Sequence, residues 1–414
     1  MKRKRTSAAD PTPIRVVIVT LDNHLSGVMT RAEASLRRQL RGLELRTHAA
    51  STWEADPGAL QACLDDIGAG DIILVTMLFM ENHIDAVLPA LTARRDDCDA
   101  MICCMSAPEV MRLTRMGRFR MDGEASGPVA LLKRLRGGSR GSRQSTGAQQ
   151  LSVLRQLPRI LRFIPGTAQD VRAYFLTLQY FLAGSEENMR GLVAFLIDRY
   201  AGGAREGLRG RCRVSAPVEY PELGVYHPRL ENRISARAGD LPRRRRGCSG
   251  TVGVLIMRSY ALAGNTDHYD QVIEQLEARG LAVITAFASG LDARPAVQRF
   301  FMRDGKPVVD AVLSLTGFSL VGGPAYNDAS AAEALLAELD VPYLAAQALE
   351  FQSVEEWQAS PLGLMPIEAT MMVAIPELDG ATGPMVFGGR CEGAGPGGHD
   401  MRAHPERVAA LVAR

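Results

Sequence analysis

Arg15-Val-Val-Ile-Val-Thr20 is a short run of mostly β-branched residues, and it decides the fold of the first part of the chain. Such a run predicts a fully buried strand. The loop Asp22–Gly27 follows it and leads into a helix predicted over Val28–Gln39. Further strands are predicted over 43–48, 71–77 and 100–105, alternating with helices over 57–67 and 82–93. Strands and helices that alternate with short connections indicate parallel βαβ units in an open sheet.

The second such run, Thr251-Val-Gly-Val-Leu-Ile-Met257, starts the same pattern again. Helices are predicted over 267–278 and 331–338, and strands over 282–288, 308–315 and 342–346. The predicted fold class is therefore α/β. It has two doubly wound lobes of Rossmann or flavodoxin type, each with a parallel sheet, joined by a helical connector.

Shifts in composition give the domain boundaries. A basic tail covers 1–13 and the N-terminal α/β domain covers 14–135, followed by a Gly/Ser-rich flexible linker over 136–150. Amphipathic helices over 151–163, 168–181 and 187–200 form the helical connector, 151–200. An irregular Arg-rich linker, 201–250, precedes the second α/β domain, 251–390. The tail 391–414 ends in an amphipathic helix without a stop signal, which we interpret as truncation.

Met, Leu and Arg recur at helical spacing near the end of the first domain. The spacing predicts a helix over Met111–Met121. Its arginines would face an acidic partner, although core packing explains the Met and Leu residues equally well; the arginines are Arg112, Arg115, Arg118 and Arg120.

Composition excludes several classes of protein. The 414 residues are 46% hydrophobic and 23% charged, and 48 basic residues nearly cancel 46 acidic ones, so nucleic-acid binding is not expected. No apolar run follows the basic N-terminus, and none approaches the length of about 18 residues that a membrane span needs. The seven cysteines are scattered without a CxxC pair, which predicts reduced, buried thiols and no zinc site.

Candidate sites follow from the rule that ligands bind beyond the carboxyl ends of parallel strands. In the first domain His24 follows the first strand, and Glu81, His83 and Asp85 follow the third. His24 and His83 are candidate ligand-binding residues, and Glu81 with His83 is a candidate site for a divalent ion. Ordinary helix capping explains the polar residues of both loops as well.

In the second domain, His268 and Tyr269 lie in the first turn of a predicted helix, where an anion could bind with Arg258 nearby. Simple capping of that helix is the alternative. Gly317, Gly322 and Gly323 allow a close approach of the backbone to a ligand. The loop that carries them is neither a Walker A sequence nor a dinucleotide fingerprint, so no nucleotide site is predicted. The residues identify no catalytic group.

Several stretches, in order, resemble the family of the large, porphyrin-binding component of magnesium chelatase, its H subunit. They cover most of the chain from about residue 14 to 390, and no single motif carries the resemblance. They are the stretches 104–119, 157–165, 179–188, 219–228, 310–325 and 375–380, and the stretch 310–325 reads DAVLSLTGFSLVGGPA.

The resemblance implies a subunit that binds protoporphyrin IX as Mg²⁺ is inserted into it during (bacterio)chlorophyll biosynthesis. It implies ATP hydrolysis on two AAA+-type partner subunits, a cytoplasmic location that leaves peripheral membrane association open, and a downstream methyltransferase as a further candidate partner. Family members extend far beyond this chain, which is similar to their N-terminal portion. This chain alone is therefore expected to be inactive. A cobaltochelatase-like large subunit and a non-catalytic tetrapyrrole-binding fragment are the alternatives.

Overall fold

The computed structural model describes residues 10–21, 24–54, 56–122, 158, 161–243, 247–323, 326–395, 398 and 400–414. The chain divides into two compact units, Met1–Val218 and Glu219–Arg414. The predicted linker 136–150, most of the predicted tail 1–13 and most of the predicted helix 151–163 lie outside the described residues. No helix in the described ranges is long and apolar enough to cross a membrane.

The first unit is built on a six-stranded sheet with the strand order β2-β1-β3-β4-β5-β6. The first four strands are parallel, and β5 and β6 are added antiparallel. The strands are β1 (Ile14–Thr20), β2 (Leu43–Ala49), β3 (Ile72–Thr76), β4 (Ala100–Cys104), β5 (Arg115–Met116) and β6 (Phe119–Arg120). The helices are α1 (Ser26–Leu36), α2 (Pro57–Ala69), α3 (Glu81–Arg94), α4 (Pro108–Met111), α5 (Thr167–Ala183) and α6 (Glu186–Tyr200). The unit also contains short 3₁₀ turns at Ala50–Thr52 and Gly203–Leu208.

Local features of the sequence explain why these strands and helices form. β3 and β4 are buried along their whole length, because helices cover both faces of a parallel sheet and apolar side chains are needed on both. Asp56 starts α2 by accepting a hydrogen bond from the backbone N–H of Gly58, and Pro57 occupies the first helical position. The predicted α/β fold with a parallel sheet is confirmed.

The helix predicted over Met111–Met121 is wrong. Helix α4 ends at Met111, and the chain then forms the hairpin β5–β6. Thr114 exchanges hydrogen bonds with the backbone of Cys103 in β4, and Gly117 turns the hairpin at a φ of +57°. Arg115 donates to the carbonyl of Arg95 within the unit, so the four arginines do not share a helical face. The positive φ of Gly117 and the contacts of Thr114 with β4 determine the hairpin here, because residue spacing alone is weak evidence for a helix.

Helices α5 and α6 belong to the first unit. Ser185 caps α6 by accepting from the backbone N–H of Asn188, and Gly184 ends α5 in the left-handed conformation. Buried Asp170 on α5 accepts hydrogen bonds from the backbone N–H of Arg118 and from the side chains of Arg199 and Tyr200. One carboxylate therefore ties the β5–β6 hairpin to both helices.

The second unit has its own six-stranded sheet, in the order β16-β13-β9-β10-β7-β8. Strands β16, β13, β9 and β10 are parallel, and β7 and β8 are antiparallel at one edge. These strands are β7 (Leu223–Tyr226), β8 (Ile234–Ser235), β9 (Gly250–Leu255), β10 (Leu281–Ala288), β13 (Ala311–Ser314) and β16 (Tyr343–Ala345). Two short ribbons pair β11 (Met302–Arg303) with β12 (Lys306–Pro307) and β14 (Gly322–Gly323) with β15 (Tyr326–Asn327). A third sheet holds β17 (Gln347–Leu349), β18 (Val386–Arg390) and β19 (Met401–Ala403).

The helices of the second unit lie between these strands in the chain. They are α7 (Arg258–Ala263), α8 (Asp267–Ala278), α9 (Arg294–Phe300), α10 (Ala329–Leu339), α11 (Val354–Ala359), α12 (Pro366–Glu368), α13 (Ile375–Leu378) and α14 (Pro405–Ala413), with a 3₁₀ turn at Ala238–Asp240. A π-helical turn, Ala369–Ala374, connects α12 directly to α13. We call residues 366–379, from the start of α12 to Asp379 directly after α13, the strap. π turns are rare and are found frequently at functional sites.

Candidate functional site

The strand order of the second unit reverses between β9 and β13, and a small crevice lies at the carboxyl ends of β9, β10 and β13. Open parallel sheets bind ligands at such a switch point. Its walls are largely apolar and include Leu255, Met257, Phe287 and Phe318, with hydroxyl groups from Ser314, Thr316 and Ser319. The enclosed space is only about 20 Å³, which is room for about one water molecule, so the crevice in this conformation is too small for a larger ligand.

His268 lies beside this edge in the first turn of α8, and its side chain is 0% exposed. Its ring stands 3.8 Å from the ring of Tyr269, 5.5 Å from that of Tyr260 and 6.0 Å from that of Phe387. Neither ring nitrogen has a hydrogen-bond partner in the described part of the chain. Burial lowers the pKa of His268 from 6.5 to about 3, so the imidazole is neutral at physiological pH.

Tyr269 and Arg258 are both engaged at the end of β9. The Tyr269 hydroxyl accepts from the backbone N–H of Met257 at 3.4 Å, and burial raises the pKa of Tyr269. Arg258 donates to the carbonyls of Pro221 and Tyr220 at 3.0 and 3.3 Å. The predicted role of these residues in anion binding remains a prediction.

The three glycines of the predicted loop have different surroundings. Gly317 has a φ of +70°, and a Cβ there would lie 3.7 Å from the side chain of Met372 in the strap. Gly322 has a φ of +123°. A Cβ on Gly323 would lie 2.2 Å from the Cδ1 methyl of Leu291, so a side chain there requires the exposed Leu291 side chain to move. These glycines allow tight packing of the loop, and their contact with a ligand remains a prediction.

Sequence reasoning missed the polar groups of the strap. Glu368 is fully buried, and its Oε1 accepts from three consecutive backbone N–H groups, those of Glu350, Phe351 and Gln352. The amide of buried Gln347 donates to the carbonyl of Met372 at 2.9 Å, inside the π turn. Asp379 accepts from the backbone N–H of Leu320 at 2.7 Å. The only local signal for these contacts is the unusual presence of acidic residues in an otherwise apolar segment.

The candidate residues of the first unit lie at the corresponding edge of its sheet. His24 is half-buried just before α1, whereas Asp22 and Asn23 of the same loop lie outside the described residues. His83 is buried against Trp53, with 5.7 Å between ring centroids, and burial lowers its pKa. Glu81 is exposed, and residues two apart on a helix do not face each other. No group of three potential metal ligands is found among the residues described, so the metal site remains a prediction.

Comparison with known families assigns the chain. A family model described as CobN/Magnesium Chelatase matches residues 178–414, which is more than half of the chain. The chain belongs to the CobN/magnesium chelatase family. A domain of unknown function (DUF3479) matches residues 15–175. The resemblance seen in the sequence is thereby confirmed.

Individual relatives extend the family assignment over nearly the whole chain. The H subunit of magnesium chelatase from Cereibacter sphaeroides is 48% identical over 401 residues, which are 96% of this chain and 33% of the relative. The chloroplastic magnesium-chelatase subunit ChlH of Oryza sativa subsp. indica is 34% identical over 396 residues, covering 91% of this chain and 28% of the relative. The chain thus spans about a third of the length of these relatives.

A solved structure agrees with the fold. The catalytic subunit of cobaltochelatase from Mycobacterium tuberculosis matches 97% of this chain and 27% of its own length, with a TM-score of 0.50 and 20% sequence identity. At that identity the match supports the α/β architecture alone.

Proposed function

We propose that this chain forms part of the porphyrin-binding subunit of a magnesium chelatase. The observation that carries the proposal is the 48% identity to the H subunit of a magnesium chelatase across 96% of the chain. Higher identity over nearly the whole chain favours magnesium chelatase over a cobaltochelatase-like subunit, because the aerobic cobaltochelatase subunit CobN of Sinorhizobium sp is 28% identical over only 49% of this chain.

The proposed substrates are protoporphyrin IX and Mg²⁺. Mg²⁺ gives up its water reluctantly, so its insertion into a porphyrin benefits from coupling to ATP. We assign ATP hydrolysis to two AAA+-type partner subunits, since the sequence of this chain contains no Walker A motif. The proposed setting is the cytoplasm with peripheral membrane contact, which is compatible with seven free cysteines.

The test is a titration of the full chain with deuteroporphyrin IX, a soluble dicarboxylic porphyrin, followed by tryptophan fluorescence. The chain has one tryptophan in each unit, Trp53 and Trp357, so both units carry a reporter. We expect saturable quenching with a micromolar Kd, which corresponds to about −8 kcal/mol. Free N-acetyltryptophanamide at the same absorbance corrects for inner-filter loss.

Two outcomes would contradict the proposal. Quenching that follows the N-acetyltryptophanamide control at every porphyrin concentration means that this chain binds no porphyrin. Tighter binding of a metal-free corrinoid than of the porphyrin would favour the cobaltochelatase alternative.

A further inference from the structure

The loop after β17 forms a concave group of backbone donors. The N–H groups of Glu350, Phe351 and Gln352 lie 3.2, 3.0 and 3.3 Å from one oxygen, Oε1 of Glu368. Consecutive backbone N–H groups that point at one spot make an anion-binding nest. We call residues 350–352 the nest. A carboxylate that belongs to the strap fills it in this structure.

Glu368 fills the nest incompletely. Its side chain is 0% exposed, and its second oxygen, Oε2, has no hydrogen-bond partner within the described ranges. Burial raises the pKa of Glu368, and hydrogen bonds from the N–H groups of the nest and from the side chain of Gln352 offset this only in part. A buried oxygen without a partner destabilises the docked position of the strap. The carboxylate is therefore held at a cost that its departure would relieve.

Few polar contacts tie the rest of the strap to the described part of the second unit. The main ones are the hydrogen bond from Gln347 to the carbonyl of Met372 and the bond from the backbone of Leu320 to Asp379. The π turn, which contains Met372, replaces regular α-helical hydrogen bonding in the middle of the strap. Much of the strap is exposed, including Leu378 near its end. These features allow the strap to detach as one segment.

Apolar surface lies next to the nest. The side chain of Gln352 reaches the carbonyl of Gly363 at 3.5 Å, which places the loop 360–365 beside the nest. In this loop Leu362 is 89% exposed and Met365 is 41% exposed. Leu362 also lines an open cleft with Trp357 and Arg407. Exposed apolar groups beside a built anion site fit a ligand with an apolar body and a carboxylate.

We propose that the nest is a binding site for a carboxylate of a flat, largely apolar ligand, and that Glu368 is its displaceable internal occupant. The ligand class rests on the proposed function, since a porphyrin joins an apolar ring to carboxylates. Binding exchanges the carboxylate of Glu368 for that of the ligand and releases the strap. The apparent affinity for the ligand is then the intrinsic affinity multiplied by the fraction of time for which the strap is open.

Hydrogen–deuterium exchange of the unmodified chain tests the exchange of carboxylates directly. With saturating deuteroporphyrin IX, we expect faster exchange in residues 366–379 and unchanged or slower exchange in residues 350–352. The dimethyl ester of the same porphyrin has the ring without the charges, so it should leave the strap protected. Protection of the strap by the dicarboxylic porphyrin, or no change in it, would overturn the proposal.

Substitutions at the nest give a second test. Glu368→Ala empties the nest and should tighten binding of deuteroporphyrin IX about tenfold, if the strap is open about a tenth of the time in the unmodified chain. Glu368→Gln keeps an acceptor oxygen in the nest and should leave the affinity unchanged. Glu377→Ala removes an exposed carboxylate from the same strap and serves as the matched control. Equal tightening for the dimethyl ester would refute a carboxylate site.

Acetate separates failure of this inference from failure of the proposed function. In Glu368→Ala, acetate should raise the urea midpoint of unfolding relative to chloride at equal ionic strength, and in the unmodified chain it should not. Stabilisation by acetate without any porphyrin binding would keep the nest as a carboxylate site and contradict the porphyrin proposal. Porphyrin binding with no effect of acetate and no gain in Glu368→Ala would contradict the nest alone. If Glu368→Ala does not fold, the exchange experiment on the unmodified chain decides.

Discussion

Replacing His268 by Phe should reduce the acid sensitivity of the second unit by about 2 kcal/mol between pH 7.5 and pH 5. The reason is that the folded unit buries a neutral imidazole without partners, whereas the unfolded chain protonates it freely. The folded pKa of His268 is lowered from 6.5 to about 3. Its contribution to stability is therefore complete above pH 6.5 and is lost progressively as the pH falls from 6.5 towards 3.

The magnitude follows from this difference in pKa. The gap is 6.5 − 3 = 3.5, and at 1.36 kcal/mol for each pH unit the loss has a limit of about 4.8 kcal/mol in strong acid. At pH 5 the linkage relation gives about 2 kcal/mol, and at pH 7.5 almost nothing. The substitution also removes two unpartnered nitrogens, worth about 1–3 kcal/mol each, but a larger ring in a packed site costs a similar amount. The net change at pH 7.5 should therefore be small.

The assay is urea unfolding at the two pH values, followed by fluorescence of Trp357 in a Trp53→Phe background. This background makes the signal report on the second unit. Tyr269→Phe is the matched control, because it changes a ring in contact with His268 without altering a group that titrates between pH 5 and 7.5. If His268→Phe and its parent differ by the same free energy at both pH values, the imidazole is not buried as described.

Three further changes test the packing of each unit. Asp170→Asn leaves Arg199 without its carboxylate partner and should lower the unfolding free energy of the first unit by about 2–3 kcal/mol, measured by urea unfolding followed by Trp53 fluorescence. This loss is smaller than that for breaking a fully buried ion pair, because the Arg199 side chain is partly exposed. Gly388→Ala places a Cβ 2.3 Å from the carbonyl oxygen of Arg402 and should lower the unfolding free energy of the second unit by about 3 kcal/mol, measured by Trp357 fluorescence. A loss below about 1 kcal/mol would contradict the close approach of β18 to β19. Thiol titration at pH 8 without denaturant should detect three cysteines and in urea all seven, because a reagent reaches the partly exposed thiols of Cys212, Cys248 and Cys391 but not the four buried ones, Cys63, Cys98, Cys103 and Cys104.

The sheets of both units could be predicted because their strands are short, apolar and bounded by helices. Runs such as 15–20 and 251–257 have no amphipathic alternative, so the pattern determines the element. The stretch 111–121 failed because Met, Leu and Arg suit a helix and a hairpin equally. Its structure is determined by the positive φ of Gly117 and by the contact of Thr114 with Cys103, which lies earlier in the chain.

The candidate site could be predicted only in part. The rule on carboxyl ends identified the loops after β9 and β13, and the crevice lies there. Two features of the site could not be predicted from the sequence. A histidine in the first turn of a helix usually faces water, and only tertiary packing against Phe387 buries His268. Glu368 meets the nest across 16 to 18 residues of chain that include helix α11, and no local pattern specifies that contact.

Among the residues described, both units bury polar atoms without partners in strands and core helices, and the second unit also has such atoms in the strap. In the first unit the hydroxyl of Thr20 and a nitrogen of His83 lack partners among the described residues. Thr20 lies in β1, and His83 lies in α3, which packs on the sheet. Neither can gain a partner unless the core opens. In the second unit one such atom is Oε2 of Glu368, which lies on an exposed segment held by few contacts. Native proteins rarely retain a buried atom of this kind without a reason. A carboxylate that leaves this site regains solvation but gives up three hydrogen bonds from the nest, so the balance between these two terms sets how often the strap opens.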